Sequence, residues 1–340
     1  MDLNTYIFIW TCIIGLCLGS FYNVVILRSL SGESIVFPPS KCPKCNHKLY
    51  WWHNIPIFSY VFLRGKCYFC KEKISIQYPI IEFITMILFG FSFWKFGLNI
   101  ETIFVIIWLS LLLIMTVTDI KENIVDCYLA IFMGISGLIC AFCLNNINGL
   151  VNCILGMIAG VVIFEGIRKV GKLIVKTDVM GEADTYVAGA IGAVFGIYNL
   201  PIVLLLGLFS YALIFIPIFI YDKLKAKDYP TFIFSLFFIF STILYNTKLN
   251  NYYGIALLFV SAVLFTIFMF KGINKKAQRI LPYVPAFSMG VLLFVIFFTT
   301  QGIIYDNSIL FNIVHHYLYC RNVILHSESF LKTGYLINNI

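Results

Sequence analysis

The chain has 340 residues, of which 61% are hydrophobic and 12% are charged, and its formal net charge is +8. Soluble globular proteins carry about 25% charged residues, so this composition excludes an ordinary soluble enzyme, and the abundance of apolar residues excludes a disordered chain. The remaining class is a protein that crosses a membrane several times.

Uncharged apolar segments predict an all-α bundle of about ten membrane-spanning helices. Because a helix needs about 20 apolar residues to cross the hydrocarbon layer, the long uncharged windows 127–164 and 185–221 must each hold two helices. We expect these windows to break at the polar, turn-forming residues 145–149 and 198–201. The predicted helices are 5–27, 79–97, 102–118, 127–144, 150–167, 185–198, 201–221, 230–246, 252–270 and 281–299.

The distribution of lysine and arginine predicts the orientation of this bundle. Alternate loops hold 20 of the 24 basic residues, and the remaining four lie on the other side. Because basic loops stay in the cytoplasm, we expect both termini outside. The first apolar segment lacks a basic region before it and is followed by Arg28, which predicts a retained span rather than a cleaved signal peptide. The positive charge therefore orients the protein and requires no nucleic-acid partner.

The loop at residues 28–78 contains two C-x-x-C motifs, Cys42 with Cys45 and Cys67 with Cys70. Four thiolates at this spacing can close a tetrahedral zinc site, which would fold a loop too small for a core of its own. The alternatives are a redox pair or unrelated free thiols. A structural disulfide is disfavoured in the reducing cytoplasm, so the pattern predicts zinc.

Acidic residues at membrane depth are the candidate catalytic groups. The chain has 16 Asp and Glu residues, and a carboxylate in the bilayer is costly unless it faces a partner or a polar cavity. Those within or at the ends of predicted helices are Glu82, Asp119, Asp126, Glu165 and Asp184.

Asp119, Asp126 and Asp184 share the cytoplasmic depth, so two of them can converge and share a proton. One would then act as general base on a water and the other as acid. The structural alternative is that these carboxylates cap helices or pair with lysines, which suits Asp126 and Asp184 because they precede helices. Asp119 ends a helix, where the dipole disfavours an anion, and this favours function. Glu82 can join the helices to the cysteine loop.

Short motifs follow one another in a fixed order along the chain. They are Gly19-Ser20-Phe21-Tyr22-Asn23 with Arg28, Ser40-Lys41-Cys42-Pro43-Lys44-Cys45, Trp52-His53-Asn54-Ile55-Pro56, Leu63-Arg64-Gly65-Lys66-Cys67, Tyr78-Pro79 with Glu82, Asp119-Ile120-Lys121, Gly181-Glu182-Ala183-Asp184 and Leu281-Pro282-Tyr283-Val284-Pro285. Over roughly residues 12–295, this series resembles the bacterial type IV prepilin peptidases.

The resemblance implies a membrane aspartic protease of the bacterial inner membrane. Such enzymes cleave the basic leader of prepilins and pseudopilins on the cytoplasmic side, then N-methylate the new terminal residue from S-adenosylmethionine. It implies Asp119 and Asp184 as the catalytic pair and the four loop cysteines as zinc ligands. Methyl transfer rests on the resemblance alone, and the residues that bind the methyl donor are not assigned.

The chain departs from that family's pattern at several positions. Ala183 stands in place of a glycine, where its methyl group would restrict φ; Tyr186 stands where a basic residue is usual, and Val125 where a proline is usual. Ten spans also exceed the usual eight. The predicted organisation is a first span (1–27), the cysteine loop and methyltransferase-associated region (28–78), a protease core (79–221), additional spans (222–299) and an extracytoplasmic tail (300–340).

Two other classes of function are considered. A membrane thiol oxidoreductase would use the C-x-x-C pairs, but it needs its loop on the oxidising side. A non-catalytic family member acting as a secretion scaffold is suggested by Ala183. The bilayer and the prepilins are the expected partners, and the oligomeric state is left open.

Overall fold

A computed structural model describes residues 2–37, 39–175, 181–225, 229, 233, 237 and 283–299. Over these residues the protein is α-helical without a β-strand, so the all-α class is confirmed. The predicted helices 230–246 and 252–270 and the tail 300–340 lie outside the described residues, apart from positions 233 and 237.

The helices follow one another with short connections, except for the cysteine loop after the first. They are α1 (Leu3–Ser31), α2 (Phe58–Phe62), α3 (Gln77–Phe96), α4 (Ile100–Glu122), α5 (Cys127–Val175), α6 (Glu182–Lys225) and α7 (Val284–Phe297), with a 3-10 helix at Trp51–Asn54 before α2. Among the described residues, five helices (α1, α3, α4, α5 and α6) are long and apolar enough to cross a membrane. The total of ten spans, the outside termini and the domain boundaries stay predictions.

Both long apolar windows are interrupted. α5 loses helical backbone at Asn145 and Asn146, where the polar residues predicted a break. α6 is interrupted at Gly196, two residues before the predicted position, because a contact with α5 determines the site of the kink. Gly196 has φ +73°, and Asn152 Oδ1 accepts the freed N–H of Ile197 at 3.1 Å.

Small residues allow α5 and α6 to approach each other closely. Gly156 lies directly against Gly192, and Gly160 lies against the backbone of Ala188. Between helices in lipid there is little hydrophobic driving force, so close van der Waals packing of small residues provides much of the attraction. This contact places α6 firmly against α5.

We expect Gly192→Ala to lower the melting temperature of the detergent-solubilised protein. A Cβ at residue 192 would overlap the carbonyl group of Gly156, and overpacking of this kind costs about 1–3 kcal/mol. Gly166→Ala is the matched control, because a Cβ at that helical glycine meets no described residue within 4 Å. Equal melting temperatures for the two variants would contradict the close contact.

A buried aromatic cluster joins α4, α5, α6 and α7. Trp108 on α4 is fully buried and donates its Nε1–H to Ser136 Oγ at 3.0 Å. Its ring packs near Phe195 on α6, which meets Phe294 on α7 at 5.1 Å between ring centroids. These contacts hold the bundle together and align the helix ends that carry the acidic residues.

The chain divides into two compact units, Met1–Leu206 with Pro282–Ile340 and a second unit at Gly207–Leu281. The candidate site residues predicted from the sequence all belong to the first unit. α6 passes from the first unit into the second.

Candidate functional site: an aspartate pair and a four-cysteine loop

Asp119 lies in the last turn of α4, and its side chain is 5% exposed. The backbone N–H of Val284 donates to Asp119 Oδ2 at 3.0 Å. Val284 is the first residue of α7, and the N–H groups in the first turn of a helix lack partners within the helix. The C-terminal end of α4 disfavours the negative charge of Asp119, and the N-terminus of α7 therefore stabilises it.

Asp184 is the third residue of α6 and is 6% exposed. Its Oδ2 accepts the backbone N–H of Gly181 at 3.1 Å, so the carboxylate caps the helix, as the structural alternative predicted. It is nevertheless buried, and the charge of Asp119 acts on it. Asp184 therefore both caps α6 and lies near a second carboxylate.

The start of α7 contacts one of the two aspartates and lies near the other. Val284 binds Asp119, and Tyr283 lies close enough to feel the charge of Asp184. The sequence contains this segment as a motif, but its position beside both carboxylates was missed because no local pattern links residues so far apart.

Ala183 does not strain the backbone. It lies within α6 with right-handed helical backbone, a conformation that any L-residue adopts. The alanine in place of a glycine at residue 183 therefore does not restrict the backbone conformation that α6 requires.

Arg168 links the second half of α5 to the start of α6. Its guanidinium binds Glu165 Oε1 at 2.9 Å and Glu182 Oε1 at 2.8 Å. Glu182 stands two residues before Asp184, so this bridge restrains the turn that presents Asp184. The sequence alone did not single out Arg168, although its spacing from Glu165 is typical of a helical ion pair.

We expect Arg168→Gln to slow the leader cleavage that the resemblance implies by roughly two- to fivefold, since exposed ion pairs have modest effects. The loss should fall mainly on kcat because the bridge orients the turn. Lys169→Gln is the control, because Lys169 reaches Glu165 at 3.5 Å but is 71% exposed and has no bond to Glu182. Steady-state cleavage of a purified prepilin measures both. Equal losses would contradict a positioning role for Arg168.

The other acidic candidates have structural partners. Asp126 Oδ1 accepts the N–H of Tyr128 at 2.9 Å and caps α5, and Glu165 is paired with Arg168. Asp126 also lines a cavity of about 140 Å³ together with Thr118 and other residues at the ends of α1, α4 and α5. Sequence reasoning missed Glu101, which is buried in the first turn of α4.

The four loop cysteines converge. Their Sγ atoms all lie within 4.8 Å of one another, and Cys42 Sγ and Cys70 Sγ are 3.9 Å apart. Sulfurs bound to one tetrahedral zinc at about 2.3 Å lie about 3.8 Å from each other. The cluster therefore fits a metal ion of this kind.

The two C-x-x-C turns have matching backbone geometry. Each is followed by a residue in the left-handed region, Asn46 at φ 56° and Lys71 at φ 59°. The backbone N–H groups of Cys70 and Phe69 favour the thiolate of Cys67 and lower the pKa of this thiol to about 7, against the opposing effect of burial. A thiolate is the form that binds a metal.

Buried polar groups attach the loop to the bundle. Asn23 on α1 is fully buried and donates to the carbonyl of Tyr78 at 3.1 Å. Glu82 on α3 accepts the N–H of Ile57 at 2.7 Å. These contacts explain why the motif that ends at Asn23 and the residue Glu82 accompany the cysteine motifs. Glu82 joins α3 to the cysteine loop, as the sequence suggested.

Comparison with known proteins identifies two matching families. Residues 13–96 match the bacterial peptidase A24 N-terminal domain, and residues 106–216 match the type IV leader peptidase family. The two matches contain the cysteine loop and the aspartate pair, respectively.

Curated relatives named prepilin leader peptidase/N-methyltransferase are similar to this chain. The protein of Myxococcus xanthus is 33% identical over 53% of this chain and 54% of the relative, so the match spans about half of that protein. The protein of Neisseria gonorrhoeae is 34% identical over 56% of this chain and 75% of the relative. The protein of Klebsiella pneumoniae is 30% identical over 59% of this chain and 92% of the relative. No solved structure matches.

Proposed function

We infer the function of this protein from its membership: the chain belongs to the type IV leader peptidase family. It is a membrane aspartic protease that removes the leader of type IV prepilins and pseudopilins and N-methylates the new terminal residue. The observation that supports this most directly is the buried pair of Asp119 and Asp184 at one end of the helix bundle. That end lies at the cytoplasmic face of the bacterial inner membrane.

The aspartate pair hydrolyses the peptide bond through one water molecule. One carboxylate removes a proton from the water, whose oxygen attacks the scissile carbonyl carbon, and the other, protonated carboxyl donates its proton as the C–N bond breaks. The proton ends on the leaving amine, which is the new N-terminus of the pilin. Val284 and Gly181 each hold one carboxylate oxygen, so both side chains are oriented before the substrate binds.

The four-cysteine loop holds a structural zinc ion. Four thiolates from two matched turns leave no open coordination position, which suits a structural ion better than a catalytic one. With so few buried apolar residues between positions 32 and 76, metal binding supplies much of the free energy that folds the loop.

S-adenosylmethionine supplies the methyl group for the second reaction. Trp52, His53 and Tyr68 form an aromatic group in the cysteine loop, with the rings of Trp52 and Tyr68 at 3.7 and 5.4 Å from that of His53 between centroids. Aromatic rings attract cations, so this group suits a cationic, ring-containing molecule. His53 Nε2 is buried and has no hydrogen-bond partner among the residues that the structure describes. These residues would hold the donor through aromatic contacts with its sulfonium and a hydrogen bond from His53.

Mass spectrometry of a prepilin co-expressed with this protein tests the function. The expected product lacks the leader and is heavier by one methyl group at its new N-terminus. A shortened but unmethylated product would refute methyl transfer, and an intact leader would refute the peptidase. The thiol oxidoreductase is not favoured, because the described cysteines are free thiols and four of them meet at metal-site spacing.

A further inference from the structure

A strained turn directly precedes α2. Ile57 has φ 60° and ψ −50°, and the N–H of Phe58 donates across it to the carbonyl of Pro56 at 2.6 Å. This three-residue turn is unfavourable for a β-branched residue, so it persists only where other contacts impose it. Glu82 Oε2 imposes it by accepting the N–H of Ile57 at 2.7 Å.

This contact ties the start of α2 to the second turn of α3. Glu82 stands five residues after the start of α3, about 7.5 Å along the helix axis. The headgroup layer on each side of the hydrocarbon is about 5–8 Å thick. The uncharged stretch of α3 begins directly after Glu82, at residues 83–94. Because Ile57 is bound to Glu82, α2 begins beside the point where α3 changes from its polar end to its apolar stretch.

One face of α2 is apolar and uncovered. Phe58, Val61 and Phe62 are 58%, 64% and 82% exposed, and residues at this spacing lie on the same side of a helix. Tyr60 lies on the opposite side, where it is partly buried and contacts Gly65. Within the described part of the chain, other residues cover the Tyr60 side of the helix and leave the phenylalanine side open.

The charge of the surrounding loop identifies what covers this face. Residues 28–78 contain eight Lys and Arg residues against Glu33 and Glu72, and one of the basic residues, Arg64, follows α2 after a single residue. Anionic lipids at the cytoplasmic leaflet attract such clusters, and aromatic side chains favour the same layer. A bilayer therefore matches both the apolar face and the charge.

We propose that α2 is an interfacial helix that inserts Phe58, Val61 and Phe62 among the lipids of the cytoplasmic leaflet. The insertion holds the cysteine loop flat against the membrane, beside the end of the bundle that carries the aspartates. This role requires only that the protein spans the membrane, and it does not depend on either enzymatic activity.

Photo-crosslinking of the full-length protein tests this placement. A benzoylphenylalanine replaces Phe62 in protein reconstituted into vesicles of phosphatidylethanolamine and phosphatidylglycerol, and the adducts are identified by mass spectrometry after irradiation. The expected result is a lipid adduct whose yield is several-fold higher than with the same probe at Tyr60, the matched position on the covered side. An unchanged melting temperature of each labelled protein in detergent shows that it is folded.

Two results would overturn the proposal. Equal lipid yields at positions 62 and 60 would mean that the apolar face does not enter the bilayer. A protein adduct at position 62, either to a second copy of this chain or to a co-reconstituted prepilin, would mean that a protein covers the face instead.

Discussion

Asp119→Asn and Asp184→Asn are each expected to reduce prepilin cleavage by about 10²–10⁴-fold, the contribution of a well-placed general acid or base. An amide keeps the shape of the side chain but can neither take the proton of the attacking water nor return one to the leaving amine. Because hydrolysis needs both the proton taken from the water and the proton given to the leaving amine, replacing either aspartate suffices. The measurement is the fraction of shortened prepilin after co-expression, with membrane insertion of each variant verified.

Asp126→Asn is the matched control for these variants. It makes the same chemical change at a carboxylate in the connection between α4 and α5, a few residues from Asp119. Asp126 caps α5 through Tyr128, and an asparagine caps a helix equally well. Cleavage by this variant should stay close to that of the unaltered protein. Full cleavage by both Asp119→Asn and Asp184→Asn would refute the aspartic protease mechanism.

Cys67→Ser is expected to abolish zinc binding by the purified protein. The unaltered protein should contain about one zinc ion per chain, the stoichiometry of a closed four-thiolate site, and a serine hydroxyl is a poor substitute for a thiolate. Since metal binding drives folding of the loop, backbone amides between residues 41 and 74 should exchange faster with solvent. The methylated fraction of the product should also fall, because the loop carries the residues proposed to bind the methyl donor.

The control and the contrary result for this prediction are both direct. Cys17→Ser changes an exposed cysteine on α1 that lies outside the cluster, and it should leave the zinc content unchanged. Metal analysis of the purified proteins gives the stoichiometry, and hydrogen exchange reports on the loop. Unaltered protein without zinc, with loop amides indifferent to Cys67→Ser, would refute the metal site.

Much of the site could be predicted because its signals are local. Cys42 and Cys45 form one C-x-x-C turn and Cys67 and Cys70 another, and the spacing within each turn already predicts a shared ligand set. Asp119 and Asp184 are conspicuous because carboxylates are rare in apolar surroundings. The break in α5 at Asn145 and Asn146 follows from polar residues at that position. In each case, the residues that produce the feature lie close together in the sequence.

Other features required contacts between distant residues. The kink in α6 lies at Gly196 and not at the turn-forming residues 198–201 that follow. Asn152 on α5 binds the N–H of Ile197 and so fixes the kink there. The support for Asp119 comes from Val284 on another helix. Arg168 restrains the turn before Asp184 through Glu182.

Composition and motif spacing by themselves determined the all-helical class and the cysteine cluster, whereas the choice of Asp119 and Asp184 as the catalytic pair rests on the resemblance that the motifs carry. Only the tertiary structure decided what holds each aspartate, how Glu82 fastens the cysteine loop, and which face of α2 is left uncovered. The physical reason is that hydrophobic patterns and short motifs act over a few residues. The hydrogen bonds that orient a buried carboxylate, by contrast, come from whichever backbone the packing of helices brings beside it.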